Sequence, residues 1–367
     1  MNDKTKNKAV TSIFIFFFAV AALLIVLHEQ NETSENERRK LSLMPRPSIE
    51  NMLSTEYMTD FDKYALDQFP FRDNFRELKA ITQFYVFQQK DNNGIYITND
   101  TVSKIEYPLK ESSVVDAAKK LSYIYDFYLA NENTNVFFSI IPDKNYFSAS
   151  ENGYPAMDYD KLVALMQENI DNMKYINIFD CLSIEDYYAT DTHWRQERLS
   201  RVVERIAAEM RFLDRLKEEF TINKFSPFYG VYYGQAALPI VPETLYYLTT
   251  DIIDNSKVYN YETSKYTGVY DINKLDSSDP YEMFLSGAVP LLTIENPKAQ
   301  TNKELVIFRD SFGSSIAPHF VEAYSKVTLI DIRYITSDYL GSFITFDDQD
   351  VLFLYSTLVL NNSTMLK

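Results

Sequence analysis

Four short apolar runs constrain this chain more than any other feature: Val136–Ile141, Leu305–Phe308, Val327–Ile330 and Val351–Leu354. Each is too short for a helix, and none alternates with polar residues, so none has a face for water. Runs of this kind read as strands buried on both sides, which is the habit of parallel sheets. Between them lie segments with helical spacing. Val114, Ala118, Leu121, Tyr125 and Tyr128 share a face within Ser112–Ala130. Leu162, Met166, Ile170 and Met173 form a second such set, and Leu199, Val203, Ile206 and Met210 a third. Gly94–Ile97, after the Asn92-Asn93-Gly94 turn signal, and Ile176–Phe179 add strand-like pieces. The alternation predicts an α/β fold in which a parallel sheet is covered by helices. Residues 213–300 break the rhythm with Phe225, Phe228, Tyr229, Tyr232, Tyr233, Tyr246 and Tyr247, and are expected to form an inserted Tyr-rich region of loops and short strands near the site.

The N-terminal end follows a different logic. Lys4, Lys6 and Lys8 stand against Asp3, and then Ala9–Leu27 runs for 19 residues without a charge. About 20 apolar residues span a hydrocarbon core as a helix. Lysines on the N-terminal side predict that this end stays in the cytoplasm. A cleaved signal peptide has a shorter core ending at small residues. Here Ala19, Ala21 and Ala22 lie inside the run and bulky Leu23–Leu27 follow, which predicts an uncleaved single-pass anchor. Residues 28–47 then read as a polar stalk, with His28 at the membrane boundary, Glu29, Glu32, Glu35 and Glu37, then Arg38, Arg39 and Lys40, then Pro45 and Pro47. Asn51–Lys79 reads as helical, interrupted at Pro70. The expected organisation is a cytoplasmic tail over 1–8, an anchor over 9–27, a stalk over 28–47 and an extracytoplasmic domain over 48–367.

Composition excludes several function classes. A net charge of −16 argues against nucleic acid, whose phosphates need a basic face. One cysteine, Cys181, forbids an intramolecular disulfide, and with only three histidines a Cys/His zinc site is not expected. No cofactor is implied. The 28 Tyr and 26 Phe suit a carbohydrate-facing surface, where a ring stacks and a hydroxyl hydrogen-bonds, and suit a Tyr-rich core equally well.

Two segments carry chemistry. In Thr190-Asp191-Thr192-His193-Trp194 an Asp and a His two apart in a loop can pair, leaving the second ring nitrogen as a base. The same residues also read as a helix cap followed by a packed His-Trp pair. In Leu305–Ser315 a serine, Ser311, stands where an apolar strand turns into a helix, so its hydroxyl points into the crevice at the strand's carboxyl end and its N–H can meet an oxyanion. A plain N-cap serine is the competing reading. Together the segments reinforce each other, because a serine hydroxyl is inert near neutral pH without a base. His319, eight residues after Ser311 and just past Pro318, is given a packing role.

These residues resemble the SGNH-hydrolase-like domain of the alginate O-acetyltransferases AlgX and AlgJ and, more closely, the DHHW proteins of Gram-positive bacteria. The naming motif stands here as Asp191-Thr192-His193-Trp194. Asp67–Asp73, Tyr281–Gly287, Asp310-Ser311-Phe312 and Asp331–Tyr334 match in kind, so the resemblance spans residues 38–360. It includes the permuted order, with Asp-x-His before the serine. By that resemblance Asp191 orients His193, His193 is the base, Ser311 is the nucleophile, and Asp310 shapes the turn. Gly287, Trp194 and Arg333 are candidates for the oxyanion or the substrate, with a buried ion pair as the alternative for Arg333. Ordinary SGNH blocks read Gly-Asp-Ser, whereas Arg309 precedes Asp310 here. The resemblance implies transfer of an acyl group, acetyl above all, onto hydroxyls of an extracytoplasmic polysaccharide, with a membrane-bound O-acyltransferase as partner. An acetylesterase with the same triad, or a non-catalytic polysaccharide-binding protein, are the alternatives.

Overall fold

The computed structural model describes residues 3–27, 29–34, 36–130 and 134–367; the boundary residue His28 and the stalk residue Glu35 lie outside them. The chain divides into two compact units, one of residues 1–92 with Tyr233–Ile240 and one of Asn93–Tyr232 with Val241–Lys367.

The first unit opens with helix α1, Asp3–Leu27. Within it Asp3–Ile25 is long and apolar enough to cross a membrane by length and composition. Three helices follow: α2, Ile49–Leu53; α3, Glu56–Asp67; and α4, Arg72–Ile81, which widens into an i→i+5 turn over Thr82–Val86. Ser48 and Asn51 cap the start of α2 reciprocally, each side chain accepting from the other's backbone N–H at 3.2 and 2.8 Å. Pro70 stands between α3 and α4, where its ring cannot continue a helix. Part of the polar stretch after α1 is tied to these helices. Asn31 and Gln68 exchange two hydrogen bonds, at 3.0 and 2.9 Å, and Arg39 meets Asp67 through two more, at 2.6 and 2.9 Å.

The second unit is built on an eight-stranded sheet. In chain order its strands are β1 (Asn135–Ile141), β2 (Lys174–Ile176), β3 (Lys257–Asn260), β4 (Lys265–Thr267), β5 (Leu291–Glu295), β6 (Glu304–Arg309), β7 (Lys326–Ile330) and β8 (Asp350–Ser356). They lie in the spatial order β4-β3-β5-β7-β6-β8-β1-β2. From β7 to β2 all neighbours are parallel; β5, β3 and β4 pair antiparallel. The sheet is therefore mixed: its β7-to-β2 part is the expected parallel sheet, and an antiparallel part is added at the β5 side. The three antiparallel strands come from the Tyr-rich region. β3 and β4 are joined by a short connection, which can only return antiparallel, and β4 is exposed throughout, as an edge strand is. Strand-like Ile176–Phe179 also ends sooner than its apolar run suggests, at Ile176.

Alternate residues of the central strands serve two cores. Leu305, Ile307, Leu329, Leu352 and Leu354 pack with Ser200–Glu209 and the segment after Ser311. Val306, Phe308, Val351, Phe353 and Ile140 pack on the other face with Glu111–Ile124 and Tyr159–Glu168. Each fully buried Leu or Ile contributes about 1.5–3 kcal/mol. The carboxyl ends of β1, β6, β7 and β8 are thereby fixed by a solid interior, and the chemistry-bearing residues stand there.

Candidate functional site

The Thr190–Trp194 loop is held from every side. An isolated antiparallel bridge between Tyr187 and Trp194 closes its base. The Glu243 carboxylate accepts from the Ala189 and Thr190 N–H groups, both at 2.7 Å, and from the Thr190 hydroxyl at 2.6 Å. Gly230 donates to the Thr190 hydroxyl at 3.0 Å. A Cβ at Gly230 would lie 2.2 Å from the Thr190 carbonyl oxygen, so only glycine lets the two backbones approach this closely. From beneath, the Lys144 ammonium donates to the carbonyls of Tyr188, Ala189 and Asp191, at 2.7, 3.0 and 3.1 Å. All three of its donors are used. Burial pushes the Lys144 pKa down to about 7, while nearby Glu243 and Asp191 oppose that shift. Three carbonyl acceptors on one nitrogen favour the charged form.

Inside this frame Asp191 is fully buried. Its Oδ1 accepts from the His193 backbone N–H at 3.0 Å and meets His193 Nδ1 at 2.6 Å; its Oδ2 accepts from Val231 N–H at 2.7 Å. With Nδ1 donating to the carboxylate, Nε2 is left as an acceptor, 2.8 Å from Ser311 Oγ. Ser311 stands two residues beyond β6, at the start of the short helix α5, Phe312–Ile316. The structure thus brings Asp191, His193 and Ser311 into one hydrogen-bonded line. Tyr281 lies flat on the His193 imidazole, ring centres 3.8 Å apart and planes 8° from parallel.

Of the remaining sequence candidates, Asp310 and Trp194 hold this line in place. Asp310 Oδ1 accepts from Phe312 N–H at 3.0 Å and Oδ2 from Ser356 N–H at 2.8 Å, tying the serine turn to the end of β8. Trp194 Nε1 donates to the Phe312 carbonyl at 3.1 Å and to Ser315 Oγ at 2.9 Å, so it clamps the serine segment to the histidine loop. Arg333 is paired with Asp331 through two hydrogen bonds of 2.8 and 2.6 Å, the ion-pair alternative of the sequence reading. Gly287 sits in a turn at φ +81°, its N–H donating to Phe284 and its would-be Cβ 2.8 Å from Glu282. Arg309, where a glycine is usual, is fully buried and 3.6 Å from Asp331. A Cβ at Gly313 would lie 2.5 Å from the Arg309 Cβ, so the glycine at 313 makes room for the arginine.

His319 is separate from the line. Its Nε2 meets the Gln196 carbonyl at 3.2 Å, and burial pushes its pKa down to about 4. Among the described residues no group of three or more His, Cys, Asp or Glu is placed to hold a metal ion.

Sequence reasoning missed Lys144, Glu243 and the stacking role of Tyr281. Lys144 and Glu243 bond to the loop's backbone, which leaves no trace in residue identity. One signal was available for Lys144: a lysine three residues after the buried strand β1, in Pro142-Asp143-Lys144.

Comparison with known proteins bears on the fold. Residues 150–330 match the family model of the DHHW protein. A DHHW family protein from Eubacterium siraeum superposes with a TM-score of 0.61 at 17% identity, over 75% of this chain and 94% of that one. PatB1 of Bacillus cereus superposes with a TM-score of 0.57 at 17% identity, over 73% of this chain and 97% of that one. PatB1 has also been solved with a sulfonyl adduct, and that form gives a TM-score of 0.55 at 17% identity, over 72% of this chain and 97% of that one. Among curated protein sequences nothing matches the chain. The stretch that matches the DHHW protein model, residues 150–330, includes Asp191, His193 and Ser311.

Proposed function

We propose that this protein transfers an acyl group, acetyl above all, onto hydroxyls of an extracytoplasmic polysaccharide through an acyl-Ser311 intermediate on an SGNH-hydrolase-like domain. The observation that carries the reading is the line Ser311–His193–Asp191, closed at 2.8 and 2.6 Å. In the first half His193 Nε2 takes the Ser311 proton as Oγ attacks the acyl carbonyl, and the proton passes to the departing group of the donor. In the second half a sugar hydroxyl gives its proton to His193 and attacks the acyl-serine, and Ser311 leaves with that proton. Asp191 holds the imidazole tautomer and stabilises the imidazolium, and the Tyr281 face against the ring favours the same cation. The N–H groups of Phe312 and Gly313 are engaged by Asp310, so we assign the first oxyanion donor to Ser311 N–H.

Ala9–Leu27 is read as the anchor that keeps 1–8 in the cytoplasm and the body outside. Since no acyl-CoA is present there, a membrane-bound O-acyltransferase is the partner that would supply the acyl group. Tyr229, exposed and next to the Gly230 that braces the histidine loop, offers a ring for a sugar to stack on.

The test uses the full chain in detergent. A sulfonyl fluoride should place its sulfonyl group on Ser311, as read by peptide mass, and a nitrophenyl acetate should acetylate the same residue. Oligosaccharide should then draw the acetyl group from water to sugar. Labelling elsewhere with Ser311 untouched would reject the nucleophile. Water as the only acceptor, whatever glycan is offered and with the membrane partner present, would make the protein an esterase instead.

A further inference from the structure

Helix α4 and the wide turn after it are built inside out. Arg72 and Arg76 face the protein: both reach the Glu37 carboxylate, Arg76 at 3.2 Å, and Arg76 also donates to the Gly234 carbonyl at 2.8 Å. The apolar residues face outward. Phe71, Phe75, Leu78, Tyr85, Val86 and Phe87 are each between 50% and 72% exposed. At about 100° per residue, positions 71, 75 and 78 fall on one stripe of the α-helix, and Tyr85, Val86 and Phe87 continue the exposed apolar set through the wide turn. A soluble unit folds such a helix with the stripe inward, so this one has a partner for its apolar side.

The connection to α1 bears on what covers that side. Gln68 binds the backbone of Asn31 at both N–H and carbonyl, at 3.0 and 2.9 Å, and also the Ser42 carbonyl at 3.0 Å. Asn31 lies four residues after Leu27, where the apolar run ends. Four residues reach at most about 14 Å, while the headgroup region is about 5–8 Å deep on each side of the hydrocarbon. Asn36 and Asp73 add a hydrogen bond at 2.7 Å, and the Arg39 guanidinium holds the Asp67 carboxyl well below the usual carboxylate range. The first residues after the span are therefore stitched to the α3–α4 corner, and Phe71 stands at that corner. The exposed set is largely aromatic, as is common where side chains meet the headgroup layer.

We infer that α4 and the turn to Phe87 lie in the membrane interface, with the Phe71–Phe87 stripe among the lipid headgroups and upper acyl chains. The inference rests on reading Ala9–Leu27 as membrane-spanning.

The experiment uses the full chain in phosphatidylcholine vesicles. With Cys181 replaced by Ala, single variants Phe75→Cys, Leu78→Cys and Lys265→Cys carry an environment-sensitive fluorophore; Lys265 is on the exposed edge strand. Nitroxide-bearing lipids should quench the probes at 75 and 78 at least about threefold more than the probe at 265, and aqueous iodide should show the reverse order. Iodide access at 75 and 78 equal to that at 265 would overturn the inference while leaving the anchor standing. Shielding from both quenchers, with cross-linking between copies or to another protein, would overturn it in favour of a protein interface. Failure of the chain to float with the vesicles would remove both the anchor and the inference.

Discussion

His193 and His319 are both nearly out of solvent, both belong to the second unit and both pack beside the segment that starts at Ser311, yet their surroundings differ in kind. His193 has a carboxylate on Nδ1 and a hydroxyl on Nε2. His319 has one backbone carbonyl and the edge of Phe220, and burial keeps it neutral down to about pH 4. Burial alone thus makes a histidine a packing group. It becomes a base when a buried anion stands behind it to receive the positive charge and a proton donor stands in front.

The sharpest way to break this contrast is to remove the two ends of the His193 line. Ser311→Ala and His193→Ala should each lower turnover of an activated ester by at least about 10⁴-fold, with little change in Tm, and the double variant should resemble either single one. Full activity per folded molecule in either variant would return both residues to capping and packing. Next in size is Asp191→Asn, which keeps the shape and alters the tautomer. A rate loss of about 10³-fold with near-normal glycan binding is expected, and equal loss of binding would mean that the loop itself has moved.

Lys144→Met tests the frame rather than the line. Three loop carbonyls lose their donor in a buried place, at about 1–3 kcal/mol for a group left unsatisfied. Unfolding in urea should show a loss of about 2–4 kcal/mol, and the folded fraction should turn over roughly tenfold more slowly. Normal turnover with only lower stability would make Lys144 purely structural.

The smallest effect on rate belongs to His319→Asn, which should leave turnover unchanged and alter only stability against pH. The unfolded chain takes up a proton at this position below about pH 6.5, the folded chain only below about pH 4. Stability is therefore lost as pH falls through that window, by up to about 3 kcal/mol. The variant should lose this part of the slope. Asp143, raised to about 6 by burial, acts in the opposite direction over the same range, so the informative quantity is the difference between parent and variant. An unchanged difference between pH 4 and 6.5 would show that His319 titrates normally.

The same contrast explains what the sequence made legible. The strand runs at 136–141, 305–308, 327–330 and 351–354 were readable because burial on both faces keeps charged residues out of them and leaves only Ser139 and Thr328 as polar members. Asp191, His193 and Ser311 were readable because their chemistry lies in side chains. The antiparallel strands β3 and β4 were not, since β3 is four residues long with one buried apolar side chain, Val258, and β4 is exposed throughout. Lys144 grips backbone oxygens 44–47 positions further along the chain, and Tyr281 stacks on a histidine that no periodic pattern links to it. Such contacts exist only once the sheet has chosen its strand order.

The separation of Ser311 from His193, 118 positions along the chain, has a consequence for the protein's biogenesis. Asp191 and His193 can find each other by a local closure, within the time a short loop needs. The serine is synthesised later and meets them only after β6 has entered the sheet between β7 and β8, a step of high contact order and correspondingly slow. Until then the hydroxyl is an ordinary alcohol. On the function proposed above, a partly folded chain carries all the parts of the line and none of its reactivity, and activity should appear only with the complete sheet.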